Sequence, residues 1–370
     1  MRKIRGFEGT IDDDGEYLSK IYSTASSISE QIAADYHGRF LIELIQNAHD
    51  VHGDARMDGQ IEVLFDAGAG THGILYVANG GAPFAKSNVE ALSDLGLSSK
   101  PPGQAIGNKG LGFRSIRHIC DVPEIYSQEP GQTGADRFYG YCFRFANDDD
   151  LASMTSGTRA LELARKDLPP FHVPVWLDVQ PPEILAFARR GFSTVIALPV
   201  RDARAAAAVL AEIEALRGVG APMLLFLTRL ELLHVHVKGV DGAQADPLLL
   251  TRREFALANA PTGFVIADLG SAGRYLIARK AVDETAMIEA ITLGINQTQL
   301  HSHWDEWDGD GEVALAVPLD ETADISSRLY TYLPMGEQAR APFRGYLHAS
   351  FSDCKPQRLG RQGSSECDAS

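Results

Sequence analysis

Three polar residues recur at helical spacing in a segment that is otherwise apolar. Glu43, Asn47 and Asp50 are separated by four and three residues, so on a helix they project from one face. An Asn side-chain oxygen is a suitable hard ligand for Mg²⁺, and a Glu one turn earlier can orient and deprotonate an attacking water. The opposite helix face is apolar and is predicted to be buried: Phe40, Leu41, Leu44, Ile45 and Ala48. The pattern predicts a helix that faces a ligand, and the alternative is a helix face exposed to solvent.

A glycine-rich segment later in the chain suits phosphate. Gly107, Gly110 and Gly112 are spaced as Gly-x-x-Gly-x-Gly and lead into a helix predicted over residues 112–119. Glycine lets backbone N–H groups approach phosphates closely, and a helix N-terminus favours anions. The preceding segment, 96–109, is rich in Pro and Gly and predicts a mobile lid, whereas a dinucleotide fingerprint needs a strand there. A Walker A motif is also excluded, because no Gly-Lys-Ser/Thr ends the segment.

The helices and strands predicted around these residues indicate an α+β fold with two units. Residues 11–52 predict two helices, and a hairpin of strands at 61–65 and 74–77 leads into Asn79. Further helices (87–95, 112–119, 203–217) and strands (122–127, 138–145, 193–200) predict helices on one face of a mixed, mostly antiparallel sheet. The second unit is predicted from strands at 230–237, 264–269, 275–279, 313–318, 329–333 and 343–351, with a helix at 283–293. We expect domains at 1–235 and 236–358 and a disordered tail at 359–370.

Composition excludes several classes of function. The 370-residue chain has 45% hydrophobic residues and no apolar run long enough for a membrane span, so a large core and no membrane partner are expected. A net charge of -15 makes nucleic acid an unlikely partner. The four cysteines lack Cys-x-x-Cys spacing, which is typical of a reducing compartment and favours a cytoplasmic location.

The combined motifs resemble a known family. A Glu-x-x-x-Asn-x-x-Asp helix, an Asn-Gly-Gly turn after a strand, a lid and Gly-x-x-Gly-x-Gly before a helix resemble the GHKL superfamily, which has a Bergerat-type ATP-binding fold. Residues 38–48, 95–100, 106–115 and 120–127 are most similar to the sacsin-type N-terminal ATP-binding domain. The resemblance is specific over roughly residues 17–200. It implies a two-layer α/β sandwich that binds ATP and Mg²⁺.

The resemblance assigns roles to the helix and to the glycine-rich segment. It implies that Glu43 is the general base, that Asn47 is the magnesium ligand and that Asp50 supports the pocket. The phosphate loop would comprise Gly107, Gly110, Leu111, Gly112 and Phe113.

The adenine end of the implied pocket departs from the superfamily. An Asp after the second strand normally reads the adenine amino group, and here Asn79 stands in that place, followed by Gly81. An Asn oxygen can accept the same hydrogen bond without the charge. Thr194 matches a Thr that shares this contact, and an ordinary strand Thr is the alternative. With the uncharged Asn79 in this place, we expect weaker selectivity for adenine than an Asp would give.

Basic residues and histidine pairs are further candidates for binding phosphate or metal. Lys100 in the lid would reach phosphate on closure, and Lys355 or Arg358 would sense the γ-phosphate from the second unit; for each, an exposed basic loop is the alternative. His234–His236 and His301–His303 suggest metal, but alternating His residues commonly line a solvated face, and no third ligand is evident at suitable spacing. Asp308-Gly309-Asp310-Gly311 lacks the remaining EF-hand oxygens, which favours a hairpin turn.

Together the motifs predict a magnesium-dependent ATP-binding protein. We expect slow ATP hydrolysis coupled to lid closure, with a chaperone-like or remodelling effect on an unidentified protein client and a possible nucleotide-dependent dimer. The alternative, of another class, is a nucleotide-gated interaction module without meaningful turnover.

Overall fold

A computed structural model of the chain describes residues 1–11, 20–35, 39–53, 58–93, 111–132, 135–219, 221–297, 304–305, 307, 311–320, 327–335 and 338–349. These residues form an α+β structure with two mixed, mostly antiparallel sheets, which confirms the predicted fold class. No helix within those ranges is long and apolar enough to cross a membrane.

The helices and strands follow one another in two blocks. The helices are α1 (Arg2–Glu8), α2 (Ile21–Asp35), α3 (Phe40–Asp50), α4 (Lys86–Ser93), α5 (Leu111–Arg114), α6 (Asp148–Met154), α7 (Thr158–Asp167), α8 (Pro182–Arg189), α9 (Ala203–Arg217) and α10 (Glu284–Asn296). Short 3₁₀ helices occupy Ser115–His118 and Gly270–Ala272. The strands of the first sheet are β1 (Gly59–Asp66), β2 (Ile74–Asn79), β3 (Glu124–Ser127), β4 (Cys142–Phe145), β5 (Pro174–Trp176), β6 (Thr194–Pro199), β7 (Leu230–Lys238) and β8 (Leu248–Thr251). Those of the second are β9 (Arg253–Ala256), β10 (Phe264–Asp268), β11 (Arg274–Val282), β12 (Gly311–Pro318), β13 (Arg328–Thr331), β14 (Leu333–Pro334) and β15 (Tyr346–Ala349).

The first sheet has the order β5-β4-β3-β6-β2-β1-β7-β8. Its neighbours are antiparallel except for β1 and β7, which run parallel with Glu62 opposite His234 and Leu64 opposite His236. The predicted domain boundary after residue 235 falls inside β7, and the last strand of this sheet ends at Thr251. The second sheet has the order β14-β13-β15-β12-β11-β10-β9 and begins at Arg253.

Both faces of the first sheet are covered. Ile61, Val63 and Phe65 of β1 pack into the same core as α3 and α9, and this core continues into the second sheet. Leu64, one residue out of phase, packs on the other face with Phe187 of α8. Because side chains of a strand alternate between faces and both faces are covered, every residue of β1 except Gln60 is buried. Of the helices around this sheet, α2, α3, α4 and α9 were predicted from the sequence, whereas α1, α6, α7 and α8 were not.

Several boundaries differ from the predicted ones for local reasons. The helix predicted at 112–119 is a single α-helical turn, α5, followed by the 3₁₀ turn Ser115–His118. The strand predicted at 138–145 starts only at Cys142, and Gly140 before it lies against the backbone of Gln128, where a side chain would clash. The strand predicted at 329–333 is interrupted at Tyr332, whose φ is 68°. The alanine-rich helix predicted at 203–217 is confirmed as α9, which begins where the Asp202 side chain accepts the N–H of Ala205 at 2.8 Å.

Candidate functional site

Helix α3 carries the predicted base inside the protein. Its apolar face lies in the main core, as predicted. Glu43 is only 4% exposed, and Asn47, one turn further, is half-buried. A glutamate is rarely buried without a partner or a functional role. The exposed-face alternative therefore fails for Glu43.

The start of α3 is held by a carboxyl group from α9. Oε2 of Glu212 accepts the backbone N–H of Leu41 at 2.9 Å, which satisfies one of the N–H groups that the first turn of a helix leaves unpaired. The other oxygen, Oε1, is buried and has no hydrogen-bond partner among the residues that the structure describes. Burial raises the pKa of Glu212 to about 7, because the two backbone hydrogen bonds from Leu41 and Phe40 only partly offset the loss of water. No sequence pattern had indicated a role for Glu212.

Three polar side chains meet at the ends of neighbouring strands on the α3 side of the sheet. Asn79 of β2 lies opposite Thr194 of β6, and Thr194 lies opposite Ser127 of β3. The hydroxyl oxygens of Ser127 and Thr194 are 3.1 Å apart, and all three side chains are buried. The structure thus brings together the two residues predicted for the adenine end, Asn79 and Thr194. It adds Ser127, whose position depends on a strand pairing that no motif encodes.

The turn after β2 fixes the orientation of Asn79. Its Oδ1 accepts the backbone N–H of Gly81 at 3.2 Å, while the Ser127 hydroxyl accepts the N–H of Phe84 at 2.8 Å. Gly81 also lies directly against the end of α3, where an added Cβ would be 2.7 Å from the carbonyl carbon and oxygen of Val51. The next residue, Ala82, donates its N–H to that same oxygen at 2.7 Å. Glycine is therefore required here by close backbone approach.

Asp50 lies at the far end of α3, beside the second unit. Its Oδ1 is 3.6 Å from Nδ1 of His49, both side chains are 3% exposed, and Arg229 donates to the Asp50 carbonyl oxygen at 3.2 Å. Burial lowers the pKa of His49 despite the nearby Asp50, and the cations of Arg229 and Arg252 lower it further. The structure therefore places Asp50 next to His49 and Arg229, two turns away from Glu43.

Of the segment predicted to bind phosphate, only the end lies within the described residues. Leu111 and Gly112 open α5, which contacts α3, and the Phe113 ring is buried against Phe171 at a centroid distance of 5.7 Å. Phe113 thus serves as a packing residue for the α3 side of the core. Lys100, Gly107, Gly110, Lys355 and Arg358 lie outside the described residues.

A cavity of about 370 Å³ opens beside this region. It is lined by the end of α3, the turn after β2 and the segment that follows α8, including His52, Gly81 and Arg190. Of the predicted residues it shares Gly81, but Glu43, Asn47, Asn79 and Thr194 do not line it. The cavity is therefore a neighbour of the predicted site and does not coincide with it.

Part of the chain is similar in sequence to a known protein. No protein-family model matches the chain. A stretch of 232 residues, 62% of the chain, is 28% identical to Protein NO VEIN of Arabidopsis thaliana. That stretch corresponds to 7% of the length of NO VEIN. The chain is thus similar to one small part of a much longer protein.

Proposed function

We propose that the chain binds magnesium–ATP between α3 and the ends of β2, β3 and β6, and hydrolyses it slowly. In this proposal Glu43 activates the attacking water, Asn47 supplies an oxygen to Mg²⁺, and Asn79 with Thr194 reads the base. Phosphates and waters would complete the magnesium shell, as is usual for this ion.

The observation that carries the proposal is the burial of Glu43 on a helix that packs on the same sheet face as Asn79 and Thr194. Helix α3 contacts β2, the strand that ends at Asn79, and β2 pairs with β6, which begins at Thr194. A buried acid and a separate set of buried hydroxyl and amide groups suit the two ends of one nucleotide. The GHKL-like motifs, sacsin-type in detail, agree with this arrangement.

Buried polar groups near the end of α3 and in the second sheet support coupling of nucleotide occupancy to that sheet. At the end of α3, the His49 ring lies 6.5 Å from the ring of Tyr332 beyond β13. Arg252, 2% exposed between the two sheets, pairs with Glu254 of β9, which also pairs with Arg279 of β11. A buried network of this kind has few alternative arrangements, so a shift of α3 would be transmitted to the second sheet. Such a movement would act on a protein client.

Free thiols support a reducing location. Among the described residues, Cys120 and Cys142 are buried and form no disulfide. The proposed site of action is the cytoplasm.

The test is a comparison of ATP binding with phosphate release. Isothermal titration with ATP, ADP and GTP, with and without Mg²⁺, measures binding, and a steady-state phosphate assay measures turnover. Glu43→Gln should lower turnover by about 10²–10⁴-fold, the usual contribution of a general base, and leave the Kd for ATP unchanged. The matched control is Glu124→Gln, because Glu124 is a half-buried carboxylate on the opposite sheet face that accepts the Tyr126 hydroxyl at 2.7 Å.

The outcomes distinguish an ATPase, a nucleotide-gated interaction module and a protein that binds no nucleotide. Turnover that falls in Glu43→Gln and not in Glu124→Gln supports the ATPase. ATP binding with no turnover above that of Glu43→Gln would identify the alternative, a nucleotide-gated interaction module. Absence of binding to any nucleotide, together with no rise in Tm on adding magnesium–ATP, would refute the whole proposal.

A further inference from the structure

Two histidines and a glutamate meet on the face of the first sheet that points away from α3. His234 and His236 alternate along β7 and therefore project from one face, and the parallel pairing places Glu62 of β1 opposite His234. The sequence offered no third ligand for this histidine pair. The strand pairing supplies one from a distant part of the chain. We call Glu62, His234 and His236 the β1–β7 cluster.

The atoms of the β1–β7 cluster are already close together. Oε1 of Glu62 is 3.1 Å from Nε2 of His236, and the rings of His234 and His236 are stacked with centroids 4.3 Å apart. One ligand atom from each residue lies within 4.8 Å of the others. Two ligands of a tetrahedral zinc ion are about 3.3 Å apart, given bonds of about 2.0–2.1 Å. The Glu62–His236 pair is near that spacing, and metal binding requires the stacked His234 and His236 rings to turn until one nitrogen of each points to the ion.

Arg190 closes the cluster on its outer side. Its Nη1 donates to both oxygens of Glu62, at 2.7 and 2.9 Å, while its guanidinium lies over the rings of Phe187 and Phe192. The Glu62 side chain is 6% exposed, but the Arg190 side chain is 45% exposed and can move outward. Arg190 therefore satisfies the buried carboxylate without metal and leaves a route by which an ion can enter.

We propose that Glu62, His234 and His236 form a binding site for a divalent transition-metal ion such as Zn²⁺, with Arg190 as the competing cation. The site has three protein ligands and leaves the fourth position for water or a substrate atom, as in zinc sites of His₂Glu composition that keep an open position. Imidazole ligands favour Zn²⁺ over the Mg²⁺ proposed for α3, which prefers oxygen. The two sites lie on opposite faces of the sheet, and this proposal does not depend on ATP binding.

The test uses the full chain after removal of metal with EDTA. Zinc is titrated in competition with a chromophoric chelator, and Co²⁺ substitution reports coordination number by visible absorption. We expect one tight equivalent per chain with four-coordinate Co²⁺ bands. Glu62→Gln, His234→Ala and His236→Ala should each weaken zinc binding by at least about tenfold, because losing a group that only hydrogen-bonds to a ligand already lowers metal affinity by this much. Arg190→Ala should tighten it, because the competing cation is removed.

The controls distinguish this cluster from other histidines. His72→Ala, in the turn between β1 and β2, and the double change His301→Ala with His303→Ala should leave the tight equivalent intact. Each variant is melted in EDTA to establish that it is folded, and zinc should raise the Tm of the wild type but not that of Glu62→Gln, which is nearly isosteric. Equal zinc affinity in wild type and Glu62→Gln, or loss of the tight equivalent in the 301/303 variant, would overturn the assignment.

Discussion

Replacing Gly81 with alanine tests the junction that connects α3 to the turn after β2. The new methyl group would lie 2.7 Å from both the carbonyl carbon and the oxygen of Val51, and 2.8 Å from its Cγ2. The obstructing atoms are mainly backbone, so the strain cannot be relieved by rotating a side chain. The adjacent Gly80 has nothing within 4 Å of an added Cβ, which makes Gly80→Ala a matched control one residue away.

Overpacking at such a position costs about 1–3 kcal/mol. With an unfolding entropy of about 2.1 cal/mol/K per residue, each 1 kcal/mol lowers the Tm of a 370-residue chain by about 1.3 °C, so a mid-range cost of about 2 kcal/mol lowers it by about 2–3 °C. Thermal unfolding followed by circular dichroism, with urea unfolding for the free energy, measures the change. Gly80→Ala should melt close to wild type or slightly higher, since alanine lowers the entropy of the unfolded chain. If both variants melt together, the close approach of Gly81 to Val51 is wrong.

Three further predictions concern single side chains. Because the pKa of Glu212 is raised from 4.5 to about 7, the folded protein holds a proton there that the unfolded chain releases, and the stability from this group falls as pH rises from 4.5 to 7. Glu212→Gln should therefore raise Tm relative to wild type at pH 8 and much less at pH 4.5; an equal difference at both pH values would contradict the assignment. Asn79→Asp should tighten ATP binding by about tenfold, the value of one hydrogen bond to a charged group, and equal tightening of GTP in a titration would argue against base reading by this residue. Asn147→Ala should lower the free energy of unfolding in urea by about 1 kcal/mol, because Asn147 exchanges hydrogen bonds of 2.8 and 2.9 Å with Asp150 at the start of α6. Ser153→Ala, in the last turn of that helix, is the control, and a similar loss there would refute the capping role.

Local patterns were sufficient to predict the elements that carry the α3 site. The apolar periodicity predicted α3, and the turn-rich segment between two β-branched runs predicted the β1–β2 hairpin, which pairs Ile61 with Asn79. These features depend on residues that are near one another in the chain. The burial of Glu43 could not be predicted in this way, because the same spacing also suits a helix face exposed to solvent.

Features that depend on distant pairings could not be read from the sequence. Ser127 joins Thr194 only because β3 pairs with β6, and Glu62 meets His236 only because β7 runs parallel to β1. Helix α8 was not predicted, although Pro182 at the first helical position is a recognised start signal and the buried residues Ile184, Phe187 and Ala188 follow helical spacing. The distinction between α5 and the 3₁₀ turn after it depends on packing.

The parallel pairing of β1 with β7 also constrains the order in which the protein can fold during synthesis. Asp66 of β1 and Lys238 of β7, joined by a 2.7 Å ion pair, are 172 residues apart in the chain. Until the ribosome has released β7, one side of β1 presents unpaired N–H and C=O groups, which are the groups that recruit other strands. The nascent chain therefore carries an open sheet edge through most of the synthesis of the first sheet. The helices on that sheet can begin to form earlier, but the sheet that supports them is completed late.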